Sequence, residues 1–73
     1  MSKIVNQYLK CYTLDYDDTT NEKKLSYINL TVGIDSIVEL EEDVTRIERQ
    51  GICYDICEPI SKLVNLLGLE HTN

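Results

Sequence analysis

Ser36-Ile37-Val38-Glu39-Leu40-Glu41-Glu42-Asp43-Val44-Thr45-Arg46-Ile47-Glu48-Arg49-Gln50 decides the fold, because this stretch can be read in two periods. At 3.6 residues per turn, Ile37, Leu40, Val44 and Ile47 line one stripe of an amphipathic helix. Ser36-Ile37-Val38-Glu39 would then be its capping box and Gly51 the residue past its end. At two residues per repeat, Ile37-Val38-Glu39-Leu40 is a short strand, and Thr45-Arg46-Ile47-Glu48-Arg49 pairs with Ile52-Cys53-Tyr54-Asp55-Ile56 across Gln50-Gly51. That register sets Thr45 opposite Ile56, Ile47 opposite Tyr54 and Arg49 opposite Ile52, neighbours that pack well across strands. The hairpin is the preferred reading because β-branched residues are frequent there, although Gln-Gly is a weaker turn signal than Asn-Gly. Under both readings residues 52–56 form a strand with Ile52, Tyr54 and Ile56 on one face.

Outward from this stretch the signals are simpler. Residues 8–16 mix aromatic and β-favouring side chains, with Tyr8, Tyr12, Leu14 and Tyr16 on one face of an extended chain. Asp17-Asp18-Thr19-Thr20-Asn21-Glu22-Lys23 gathers residues that hydrogen-bond their own backbone, which favours a loop. The return strand over 25–32 alternates Ile28, Leu30 and Val32 against Tyr27, Asn29 and Thr31, until Gly33 breaks the pattern. Downstream, Pro59 in a first turn, Glu58 near the positive dipole end and Gly68 past the end bracket a helix. Its stripe is Ile60, Leu63, Val64 and Leu67, and a helix this short must pack on the sheet or on a second subunit. The expected fold is therefore α+β: one domain over residues 1–73, with a small antiparallel sheet of three to five strands and a C-terminal amphipathic helix.

A chain of 73 residues buries a small core with a margin of a few kcal/mol, on the order of 3–5, so a homodimer is expected. No apolar run of about 18 residues occurs, and the first residues turn polar early, which argues against a membrane span or a signal peptide and for a cytoplasmic protein. Three cysteines, Cys11, Cys53 and Cys57, suit a reducing compartment and are expected as buried free thiols. A zinc site built from them with His71 is disfavoured, because C-x3-C is not a zinc-knuckle spacing and a strand would hold Cys53 and Cys57 about 13 Å apart. Asp15, Asp17 and Asp18 resemble the opening of a calcium loop, but Thr20 and Ser26 stand where glycine and glutamate are needed. No metal or cofactor is expected.

Catalysis needs a nucleophile, a tuned acid or base, or a metal, gathered in a pocket. The only histidine, His71, lies three residues from the end of the sequence, and no hydrolase, zincin, phosphate-loop or dinucleotide motif is present. The chain is accordingly expected not to be an enzyme. Thirteen acidic residues against seven basic ones give a net charge of −6, which disfavours direct nucleic-acid binding and favours a basic protein partner. Glu39, Glu41, Glu42 and Asp43 form the densest acidic cluster and the first candidate docking surface for a Lys/Arg-rich partner, with Arg46 offsetting part of their repulsion. Tyr12 and Tyr16, beside Asp15, Asp17 and Asp18, form the second candidate patch, since tyrosine combines an apolar face with a hydrogen-bonding tip; Tyr27 and Tyr54 are expected at or near the core.

These features point to a small acidic protein-binding module, an inhibitor or adaptor that occupies a basic surface of a larger protein. In its strong form it would mimic a nucleic acid. Size, acidity and the lack of catalytic motifs also suit small phage-encoded inhibitors. The alternative is a small-molecule or nucleotide-binding homo-oligomer with its pocket at subunit interfaces.

Overall fold

The computed structural model of the chain describes residues 2–15 and 22–69. Six strands precede one helix: β1 (Lys3–Val5), β2 (Tyr8–Asp15), β3 (Glu22–Asn29), β4 (Ser36–Glu41), β5 (Val44–Arg49), β6 (Ile52–Ile56) and α1 (Ile60–Leu66). All pairings are antiparallel, and the strand order is β1-β2-β6-β5-β4, with β3 along the other side of β2. β1 and β6 thus share one edge of β2, β1 at Tyr8 to Lys10 and β6 at Thr13, which sits opposite Ile56. The Cys57 N–H extends that second junction by donating to the Tyr12 carbonyl at 2.9 Å.

The ambiguous stretch is two hairpins. Thr45 faces Ile56, Ile47 faces Tyr54 and Arg49 faces Ile52, the register read from the sequence, so the helical alternative is excluded. Gln50 and Gly51 both hold positive φ, 53° and 79°, as a tight two-residue turn compatible with strand twist requires. Glycine adopts that conformation at little cost, whereas Gln50 does not. It is held by its own N–H, which donates to the Asp35 carboxylate at 2.9 Å. At the other end Glu42 and Asp43 turn the chain from β4 into β5, beside a register shift between Glu39 and Glu41.

Six strands exceed the three to five expected, and β1 is the one the sequence conceals. Three residues are too few to display an alternation, and its turn, Asn6-Gln7, is marked only by the tolerance of asparagine for positive φ, here 56°. The return strand also sits earlier than read, ending at Asn29; beyond it the Leu30 N–H reaches the Gln7 carbonyl at 2.7 Å.

The core is Leu9, Cys11, Ile28, Ile47, Ile56 and Leu63, with Leu30, Ile34, Ile37, Tyr54 and Leu66 packed against it. Leu9 and Cys11 are the inward residues of β2; Tyr8 and Tyr12, on the opposite face, are exposed, as is Tyr27 on β3. The expectation of a core Tyr27 is therefore wrong by one step of strand alternation, and only Tyr54 is half-buried. Buried free thiols are likewise confined to Cys11: Cys57 is intermediate, and Cys53, opposite Glu48 on β6, is exposed.

α1 is shorter than the sequence suggested and starts after Pro59, which serves as its N-cap rather than its first turn. Its end is a Schellman motif: the Gly68 N–H donates to the Asn65 carbonyl at 3.3 Å, the Leu69 N–H to the Val64 carbonyl at 2.9 Å, and Gly68 takes φ 69°. Seven residues have no stability alone, so Leu63, fully buried, fixes the helix against β4 and β5. Of the expected stripe only Leu63 is buried; Ile60, Val64 and Leu67 are half-buried. No helix among the described residues is long and apolar enough to cross a membrane.

Candidate interaction surfaces

The four carboxylates of the first candidate surface lie at one end of the β4–β5 hairpin but not on one face, since Glu39 stands opposite Thr45 and Glu41 opposite its neighbour Val44. Glu39 and Glu41 lie on β4, Glu42 and Asp43 form the β4–β5 turn, and all four are exposed. β4 is an outer strand, so among the described residues one of its backbone edges meets no other strand of the sheet. Val38, before Glu39, and Leu40, between Glu39 and Glu41, are exposed, giving the strand an apolar component as well as a charged one. Arg46 binds a carboxylate outside this cluster. It stands opposite Val38 and Asp55, and its guanidinium holds the Asp55 carboxylate with Nε–H to Oδ1 at 2.7 Å and Nη2–H to Oδ2 at 3.0 Å. Asp55 is almost wholly buried while Arg46 is half-open, so this forked pair satisfies a buried carboxylate that would otherwise be costly.

The second candidate surface is only partly described. Tyr12 projects from β2, and Asp15 ends that strand with its backbone opposite Glu22. Tyr16, Asp17 and Asp18 lie outside the described residues. Around Tyr12 the described neighbours lining one shallow depression are Lys3, Lys10 and Leu25. β6 and β5 stand between β2 and β4 in the sheet, so Tyr12 and the acidic hairpin are separate surfaces.

The polar ties inside the fold leave no pattern in the sequence. The Glu58 carboxylate accepts the Ser2 N–H at 2.7 Å, and its backbone carbonyl accepts the Thr45 hydroxyl at 2.8 Å. Burial pushes the Glu58 carboxyl up, but hydrogen bonding from Ser2 and the Lys62 ammonium 3.6 Å away outweigh it and hold the group below its ordinary value. Glu58 is thus a clamp on the N-terminal segment as well as a charge near the helix start. Burial, with Cys57 and Glu58 nearby, pushes the Cys11 thiol up to about 11, which makes it a poor nucleophile at neutral pH. Among the described residues no three His, Cys, Asp or Glu side chains cluster as a metal would need; His71 lies outside them. Comparison with protein-family models, with curated proteins and with solved structures finds no match.

Proposed function

We propose that the protein is a non-catalytic binding module, an inhibitor or adaptor whose acidic β4–β5 hairpin occupies a Lys/Arg-rich surface of a larger protein. The observation that carries this reading is the hairpin itself: four exposed carboxylates at the end of an outer strand, interleaved with exposed Val38 and Leu40. All four hairpin carboxylates are exposed to solvent. Carboxylates in that state lose little on meeting arginine side chains and gain charge-assisted, bidentate hydrogen bonds. The open edge of β4 can add main-chain hydrogen bonds to an extended segment, and the two apolar side chains add contact area.

Reversal of Glu41 and Glu42 to lysine tests this. Both side chains are exposed, so the melting temperature should stay within about 0.5 kcal/mol of wild type in stability terms, while capture of the natural partner should fall tenfold or more, about 1.4 kcal/mol. Association should also slow as salt rises, since screening shortens the reach of exposed charges to about 8 Å near physiological ionic strength. Capture by the doubly reversed protein at wild-type rate and salt dependence would place the functional surface elsewhere.

A further inference from the structure

The outward positions of β1, β2 and β3 are Lys3, Val5, Tyr8, Lys10, Tyr12, Leu14, Lys23, Leu25, Tyr27 and Asn29, by the register and the alternation that buries Leu9, Cys11 and Ile28 on the other side. In a chain with thirteen acidic residues, none of these positions is a carboxylate. We propose that this face is the docking site for the acidic β4–β5 hairpin of a second copy of the chain.

Three observations carry the assignment. First, Lys3 stands directly opposite Lys10 across the β1–β2 pair, an arrangement of like charges that destabilises an isolated hairpin and that an incoming carboxylate reverses. Second, the cations are set among exposed apolar surface: Tyr8, Tyr12, Leu25 and Tyr27 are 37%, 41%, 47% and 55% exposed. Tyr27 faces Lys10, and Tyr12 faces Leu25, so Tyr8 and Tyr12 lie on the diagonals of Tyr27 at about 7–8 Å and the rings form one patch. Third, the same chain carries the complementary surface, Glu39, Glu41, Glu42 and Asp43 with Val38 and Leu40, on an outer strand separated from β2 by β6 and β5. A polyphosphate strand and a second copy are both repelled at long range by the net charge of −6, but the hairpin alone also brings exposed Val38 and Leu40 to the apolar surface between the lysines. Self-docking engages the carboxylates assigned above to a larger partner, so the two states exclude each other; it stands whether or not that partner exists.

Sedimentation of the full chain tests it. Wild type should rise from 8.4 kDa to at least twice that mass as concentration increases into the hundreds of micromolar at low salt, and the association should weaken tenfold or more when salt is raised. Lys10→Glu and the Glu41→Lys/Glu42→Lys double variant should each stay at 8.4 kDa, and their equimolar mixture should associate again, because the reversed hairpin then meets a reversed face. Lys3→Glu replaces Lys10→Glu if the latter does not fold. A wild-type chain that remains monomeric, or single-surface variants that associate like wild type, would overturn the proposal. So would Lys10-dependent binding of an oligothymidylate by a chain that stays monomeric, which would assign the face to a nucleic acid. Loss of larger-partner capture in the hairpin variant bears on the proposed function alone, since the lysine face is reported by Lys10→Glu and by the mixing experiment.

Discussion

Cys11 and Cys53 show how far one step of strand alternation changes chemistry. Cys11 is fully buried with its thiol pushed up to about 11, whereas Cys53 projects from the exposed face of β6. At pH 8 a disulfide-exchange reagent should label Cys53 within minutes and leave Cys11 silent until the chain is denatured; Cys11 labelling as fast as Cys53 would disprove the burial. Glu58 is the other residue whose environment exceeds what its type announces. Its folded carboxyl titrates below its unfolded value, so its stabilising effect is present above pH 4.5 and is lost as pH falls through the folded value. Glu58→Gln keeps an acceptor for the Ser2 N–H but removes the charge. It should lower stability by about 1–3 kcal/mol at pH 7 and by less near pH 3, which denaturant titrations at the two pH values measure. Neither role is legible in the sequence, because contact between Ser2 and Glu58 depends on a separation of 56 residues closed only by the folded sheet.

At the scale of elements, the β5–β6 hairpin and α1 were legible and β1 was not. Cross-strand pairs over five positions state a register redundantly, and a helix bracketed by Pro59 and Gly68 states both its ends. A three-residue strand states nothing, since its pairing with β2 is imposed by the turn and the neighbouring strand. Two substitutions probe the elements that were read. Gln50 holds φ 53° without being glycine, so Gln50→Gly should leave the turn intact and raise stability by roughly 0.5–1 kcal/mol; a lower denaturation midpoint would show that Gln50 makes a contribution its backbone strain does not reveal. Leu63→Ala should cost about 2–5 kcal/mol, comparable to the whole margin of so small a domain, and yield a chain without a cooperative melting transition. Leu67, half-buried at the helix C-cap, should cost less when truncated, and equal losses at the two positions would mean the helix packs through a wider face than Leu63 alone.

On the scale of the whole molecule, the fold sorts charge in a way that composition does not announce. A net charge of −6 describes a uniform acidic body, yet the sheet sets lysines and tyrosines on the outward face of β1–β3 and carboxylates on the hairpin of the opposite outer strand. The acidic cluster was visible in the sequence because its four members fall within five residues, 39–43. The lysine face was not, because Lys3 and Lys10 become neighbours only through the β1–β2 pairing, and Lys23 joins the same face only through the β2–β3 pairing. Amide chemical shifts during titration with an arginine-rich peptide test most directly the proposal that the acidic hairpin docks on basic protein. Shifts concentrated in residues 36–49, attenuated by salt and absent in the Glu41→Lys/Glu42→Lys protein, are the predicted result. Shifts spread over every exposed carboxylate, or confined to residues outside the hairpin, would contradict it.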